Sequence, residues 1–165
     1  MKTMKKESLL FNVLLLTICS FLVFATAGLG SYFTSVGIDS GWYDSLNLPL
    51  WTPAGSVIGM VWTILYILLV ISVFILLRQV DKRSFFLIGG VFLLNLVLNA
   101  FWSYLFFTLN KLFIAFIGAL FLTLSVFLLI YLVQPKNKLA SILLYPYLIW
   151  VLFASYLNLQ IWLLN

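Results

Sequence analysis

Five long apolar stretches dominate the chain, broken by short polar or charged segments: Ser8–Ala27, Gly55–Leu77, Ser84–Phe107, Leu112–Val133 and Leu139–Leu163. A helix rises about 1.5 Å per residue, so roughly 20 mainly apolar residues cross the hydrocarbon of a bilayer. Each stretch reaches that length, and none of the thirteen charged residues falls inside one. The pattern predicts an all-α polytopic membrane protein, a five-transmembrane-helix bundle in which residues 1–165 form a single membrane domain. The segment from Gly28 to Ala54 reads as its one long connection, rich in Gly, Ser and the aromatics Tyr32, Phe33, Trp42, Tyr43 and Trp51. Long ordered connections are usually functional. The remaining connections are short, which predicts that consecutive helices are antiparallel neighbours.

Polar positions within the stretches are few and periodic. In the third, Phe92, Asn95, Asn99, Trp102, Ser103 and Phe106 share one face about 100° wide. Carboxamides in hydrocarbon are costly unless paired, so this face must meet protein, a cavity or a ligand. Interhelical hydrogen bonding and a binding pocket both satisfy it. In the fifth, Tyr147, Trp150, Ala154 and Asn158 lie within roughly 80°. Pro146 removes the amide that would bond the Ile142 carbonyl, predicting a kink. Ahead of the second stretch, Pro53 suits a first helical turn and Pro49 keeps Leu48 extended. They hold Trp51 at the outer boundary, either above a cavity or as an interfacial belt residue. Trp62 and Tyr66 continue an aromatic wall one turn apart. Trp162 reads as a belt residue. The fourth stretch reads as a lipid-facing support, with Ala115, Ala119 and Thr123 as a ridge for helix or subunit contact.

Composition agrees with a bilayer solvent: 65% of residues are hydrophobic and 8% charged, against about 45–50% and 25% in soluble domains. The nine basic residues outnumber the four acidic ones, yet they sit between the apolar runs, which marks loops rather than a nucleic-acid surface. The N-terminal tail, second loop and fourth loop hold eight of them; the opposite side holds only Lys111. This asymmetry predicts a cytoplasmic N-terminus and an outer C-terminus. Lys5 and Lys6, the apolar run and Ala25-Thr26-Ala27 imitate a cleavable signal. The run from Leu9 to Ala27 exceeds the usual ~7–15-residue signal core, so an uncleaved helix is expected. With Cys19 the single cysteine and no histidine, an intrachain disulfide is excluded and no metal site is expected. There is no Ser-His-Asp set, phosphate loop or intramembrane charge pair of the kind an ion-coupled transporter carries.

Three groups of residues carry a resemblance. Trp42-Tyr43-Asp44-Ser45-Leu46, Pro49-Leu50-Trp51-Thr52-Pro53 and Trp62 with Leu65-Tyr66 form the first. Leu98-Asn99-Ala100-Phe101-Trp102-Ser103 with Phe106-Phe107 form the second. Pro146-Tyr147, Trp150, Phe153-Ala154, Tyr156-Leu157-Asn158 and Ile161-Trp162 form the third. In order and content they resemble the translocator protein family, the tryptophan-rich sensory proteins related to the peripheral benzodiazepine receptor. The resemblance implies a five-helix bundle, often a homodimer, with a cavity opening toward the first loop. That cavity would take porphyrins, haem-like tetrapyrroles and benzodiazepine-site-type ligands, with no obligatory cofactor. By position its lining would be Trp51, Asn99, Trp102, Tyr147, Trp150 and Ala154, with Trp42, Trp62 and Tyr66 as additions. Lys111 is the sole basic candidate for porphyrin propionates.

The chain departs from that family at three places. Leu48 stands where relatives often carry lysine, and Ala54 where they often carry a second proline. No basic residue follows Tyr156 to complete the animal sterol motif; Leu129-Ile130-Tyr131 with Lys136 fits only a loose version, and sterol binding is not expected. The leading expectation is a porphyrin-binding receptor or sensor in a bacterial cell membrane. Its rivals are an enzyme degrading porphyrin with light and oxygen, using Trp51 and Trp150 as catalytic residues, a porphyrin or lipid transporter, and a scaffold without ligand. Without histidine, haem iron would lack its usual axial ligand.

Overall fold

The computed structural model describes residues 9–165. Lys2, Lys5, Lys6, Glu7 and Ser8, on which part of the orientation reading rests, lie outside the described residues. Helix α1 runs Leu9–Asp39, α2 Gly55–Leu77, α3 Lys82–Ser103, α4 Leu112–Val133, α5 Lys138–Ile142 and α6 Tyr145–Leu164. With α5 and α6 taken as one span, five helices are long and apolar enough to cross a membrane.

The largest departure from expectation lies at the start. Residues 28–39 are not loop: α1 continues through Gly28 and Gly30 to Asp39. No proline interrupts it, and two of its glycines, Gly30 and Gly37, serve as contact points instead of breaks. A Cβ on Gly30 would sit 3.4 Å from Ser103 Oγ, and one on Gly37 only 2.8 Å from the Phe107 carbonyl oxygen. Those glycines let a neighbouring helix approach where a larger residue would hold it off. The connection proper is therefore 40–54. It turns at Gly41, whose φ of 73° suits glycine. A single 3-10 turn follows at Tyr43–Ser45.

Helix α3 ends in a π-helical turn, Tyr104–Thr108, in which the Leu109 amide donates to the Tyr104 carbonyl five residues back at 3.0 Å. Asn110 then adopts φ 56°, a left-handed conformation its short side chain tolerates. The expected interruption at Pro146 is present: α5 stops at Ile142, and Pro146 occupies the first turn of α6. Asp81 caps α3, its carboxylate accepting from the Ser84 hydroxyl at 2.7 Å and the Ser84 amide at 3.2 Å. Those two hydrogen bonds hold the carboxyl below its ordinary value.

Around the bundle, α1 packs against α2 and α3, α3 against α4, α4 against α6, and α5 against α2. Helices α2 and α3 are thus consecutive but not principal neighbours; they meet only sparsely, and their short connection crosses one end of the bundle. Nor is α4 a mere lipid-facing support. Ala115, Ala119, Leu122, Ser125, Val126, Leu129, Ile130 and Val133 are all buried. The small-residue ridge is an internal helix contact, with Thr123 Oγ1 and Ser155 Oγ 3.0 Å apart.

The main apolar core joins Leu15–Val23, Leu65–Leu77, Ile88–Leu96, Leu122–Val133 and Ala140–Val151. That half of the bundle is solid. A smaller cluster of Leu105, Phe106, Ala115 and Ile161 closes the half beneath the first loop. Gly37→Ala tests the contact between the C-terminal part of α1 and the π turn. Overpacking against the Phe107 backbone should cost about 1–3 kcal/mol. Gly28→Ala, which meets nothing within 4 Å, should be neutral or stabilising by up to about 1 kcal/mol. Thermal unfolding in detergent distinguishes them.

Candidate functional site

Where the solid half ends, five side chains from four helices form a directional chain of hydrogen bonds. Tyr66 on α2 donates to Asn99 Oδ1 at 2.8 Å, and Asn99 Nδ2 donates to the Tyr147 hydroxyl at 3.2 Å. Tyr147 on α6 donates in turn to Asn95 Oδ1 at 3.2 Å. Asn95 Nδ2 donates to Ser125 Oγ on α4 at 2.8 Å, and Ser125 donates to the Leu122 carbonyl at 2.6 Å. Tyr66 opens the chain as a donor, Tyr147 and Ser125 each receive and give, and Ser125 ends it on a carbonyl. Asn95, Asn99 and Tyr147 are each 2% exposed or less. The two carboxamides of the α3 stripe are thus satisfied by protein.

Above this floor lies a cavity of about 650 Å³, within the roughly 300–1,000 Å³ typical of small-molecule sites. Its walls come from α1, α2, α3 with its π turn, and α6. Trp62, Trp102, Trp150, Phe106 and Phe153 supply ring surface. Ala27, Gly30, Ser31, Thr34, Gly55 and Gly59 bring small side chains or none to the same wall. Among the described residues, no Asp, Glu, Lys or Arg lines it. Tyr43 reaches the wall from the first loop, and burial, helped by neighbouring Asp44, pushes its phenol above the ordinary value. It is neutral and able to donate a hydrogen bond.

Three polar side chains of the wall have buried atoms without a partner: Trp102 Nε1, Trp150 Nε1, and both Nδ2 and Oδ1 of Asn158. Unpaired buried polar groups are rare enough in folded proteins to require an explanation. The first loop is fastened beside the cavity by a reciprocal amide pair. The Asn47 amide donates to Asn165 Oδ1 at 2.9 Å, and Asn165 Nδ2 donates to the Asn47 carbonyl at 3.1 Å.

The residues expected at the site divide. Trp62, Tyr66, Asn99, Trp102, Trp150 and Ala154 line the cavity together. Tyr147 lies behind its floor, fully engaged with Asn95 and Asn99. Trp42 stands behind the wall, edge-on to Phe106 with ring centres 5.5 Å apart. Trp51 does not line the cavity: the Pro49–Pro53 turn lays it across α6, stacked on Tyr156 at 5.6 Å and 11°, with 45% of its surface exposed. Of the two candidate catalytic tryptophans, only Trp150 faces the space. Lys111 is exposed at the start of α4 and absent from the wall.

The wall also holds residues outside the expected set. Ala27, Gly30, Ser31, Thr34 and Ile38 recur at three- and four-residue spacing, a helical period that the loop-like Gly and Ser content concealed. Phe106, Ser103 and Asn158 lie on the polar faces read from α3 and α6, so periodicity did mark them. Tyr43, Phe153 and Leu157 stand within the motifs that carried the resemblance but had no periodic signal of their own.

Comparison with known proteins follows from this geometry. The TspO/MBR family is matched over residues 17–163. A tryptophan-rich protein TspO of Bacillus cereus is 39% identical over 147 residues, covering 86% of this chain and 93% of that one. The tryptophan-rich sensory protein of Cereibacter sphaeroides is 29% identical, covering 75% and 77%. The sheep (Ovis aries) translocator protein is 28% identical, covering 73% of each.

The floor gives a graded prediction. Tyr147→Phe strands Asn95 Oδ1 and an Asn99 N–H together and should destabilise by about 2–4 kcal/mol at about 1–3 per orphaned buried group, the two costs not being fully additive. Tyr66→Phe strands only Asn99 Oδ1, beside the cavity, and should cost about 1 kcal/mol. Thermal melts of the detergent-solubilised variants measure the order.

Proposed function

The chain belongs to the TspO/MBR family and is an integral membrane protein, and from that premise we propose that it is a membrane receptor or sensor for tetrapyrroles and other flat aromatic ligands. The observation that carries the reading is the 650 Å³ cavity between α1, α2, α3 and α6, walled by three tryptophans and several further aromatic rings. Indole and phenyl faces stack favourably on planar conjugated rings. The names of the relatives, sensory and translocator protein, agree with a receptor role. The uncharged wall adds a constraint of its own. Porphyrin propionates would find no cation inside, so they would sit at the mouth while the macrocycle enters.

A second reading, breakdown of bound porphyrin under light with molecular oxygen as oxidant, is favoured by one feature. Trp150 on the wall contacts Phe153 at 5.2 Å, and Phe153 contacts the exposed Trp51 at 5.8 Å. This run of rings leads from the cavity to the outer surface. Orientation completes the proposal: the distribution of basic residues supports a cytoplasmic N-terminus and a first loop outside.

Protoporphyrin should quench tryptophan fluorescence of the purified protein, and its uncharged dimethyl ester should bind at least as tightly. Lys111→Ala should change neither affinity by more than about twofold, less than the tenfold that 1.4 kcal/mol represents. Absence of quenching by both ligands would overturn the receptor reading. Loss of the porphyrin absorption band under light, faster than in detergent alone and slowed by Trp150→Phe, would establish the second reading. For orientation, a C-terminal reporter active only outside the cytoplasm should be active; activity of a cytoplasm-only reporter there would reverse the topology.

A further inference from the structure

At the end of the bundle away from the cavity, two basic connections are held in contact. The α2–α3 junction carries Arg78, Lys82 and Arg83, and the α4–α5 junction carries Lys136 and Lys138. Asn137 Nδ2 donates to Gln79 Oε1 at 2.9 Å, and Lys136 Nζ lies 3.9 Å from Asp81 Oδ1. Each of the five cations stands within two residues of one of those contacts. Like charges gathered in this way repel one another. Among the described residues Asp81 is the one carboxylate at this end, and the Ser84 hydroxyl and amide already engage it. Its ion pair with Lys136 is exposed on both sides and offsets little of the excess. Arg78 rests over the Phe74 ring, 5.0 Å from its centre, which leaves its charge in place. The residues ahead of α1 hold Lys2, Lys5 and Lys6 against Glu7, and so offer no net negative charge to balance it.

Membrane topology asks that such connections be basic; it does not ask that they touch. The residues beneath them point to the counter-ion. Lys82, Arg83 and Lys138 each have an exposed large apolar residue four positions further into the span: Phe86, Leu87 and Ile142. Residues four apart share a helix face and lie about 6 Å apart along its axis. We infer that this end of the bundle is a binding surface for anionic phospholipids. The phosphodiester sits beside the cations, and the acyl chains run along the apolar residues one turn deeper. A soluble anion would meet the cations but gain nothing from the apolar row beneath them. A zwitterionic headgroup brings its own ammonium to a surface already short of negative charge, and gains less. The surface lies at the opposite end from the cavity and owes nothing to what the cavity binds.

The test uses the full-length protein in detergent, titrated with phosphatidylglycerol or with phosphatidylcholine of the same chains. Native mass spectrometry counts the lipids retained. Wild-type protein should hold phosphatidylglycerol at least about tenfold more tightly, a margin that shrinks as salt rises. A single cation contributes up to about fivefold at a membrane surface. Lys138→Gln should therefore lower the margin by about two- to fivefold. Combining it with Lys82→Gln and Arg83→Gln should remove most of the margin, with phosphatidylcholine binding unchanged. Lys111→Gln, which deletes a cation at the opposite end, should keep the margin whole. Equal retention of the two lipids by wild-type protein overturns the inference whether or not the triple variant folds. So does a Lys111→Gln variant that loses as much as Lys138→Gln, since net charge alone would then set the preference. Displacement of phosphatidylglycerol by an equal concentration of glycerophosphoglycerol, the same headgroup without chains, overturns the lipid assignment in favour of a soluble anion.

Discussion

The hydrogen-bonded chain from Tyr66 through Asn99, Tyr147 and Asn95 to Ser125 is the constraint on which the rest of the bundle depends. Apolar packing alone sets helix rotation weakly in a membrane, since lipid tails are as apolar as leucine. Two carboxamides on one face of α3 remove that freedom. Asn95 and Asn99 must both be met, and the partners that meet them stand on α2, α4 and α6. Rotating any of these helices by a residue would strand a buried donor or acceptor, at about 1–3 kcal/mol each. The network fixes four helices at one level and leaves the side chains above and below in definite places.

That level also explains why a cavity begins where it does. Below it, Leu69, Val73, Leu76, Val126, Leu129 and Val133 fill the interior without gaps. Above it, the pattern of sizes changes: α1 and α2 present Ala27, Gly30, Thr34, Gly55 and Gly59, while α3 and α6 present Trp102, Phe106, Trp150 and Phe153. Rigid rings on one side cannot collapse into the space left by glycine on the other. Helices α2 and α3 are kept apart because α1 lies between them on one side and α4 with the α5–α6 span on the other. The close approach of Gly37 to Phe107 pins the top of α1 to the π turn, so the outer wall stands although α1 is about 46 Å long at 1.5 Å per residue.

The parts of this arrangement that follow a helical period were readable in the sequence. Five spans, the stripes of α3 and α6, and the break at Pro146 all follow from spacing and from proline's missing amide. What was not readable follows from rules that change with solvent. Gly28, Gly30 and Gly37 look like loop in an aqueous chain, where glycine weakens a helix; in a membrane glycine is compatible with a helix, and Gly30 and Gly37 mark contacts with a neighbouring one. Ala115, Ala119 and Thr123 marked a contact ridge on α4 without naming its partner, because a small residue does not announce whether that partner lies in the same chain. The direction of Trp51 was equally hidden. Pro49 and Pro53 fix the backbone on either side, but only the position of Tyr156 on α6 shows that the indole stacks outward.

The electrostatics of the cavity bear on selectivity more than its size does. Every formal charge among the described residues lies away from its wall, Lys111 included. Discrimination there must come from shape and from the direction of hydrogen bonds. The wall keeps unpaired N–H groups on Trp102, Trp150 and Asn158, a standing cost in the ligand-free protein that apolar replacements would remove. On the proposed reading of the cavity as a ligand site, a neutral, ring-lined wall tolerates different planar ring systems and disfavours charged ones, because a charge inside it would go unpaired at low dielectric.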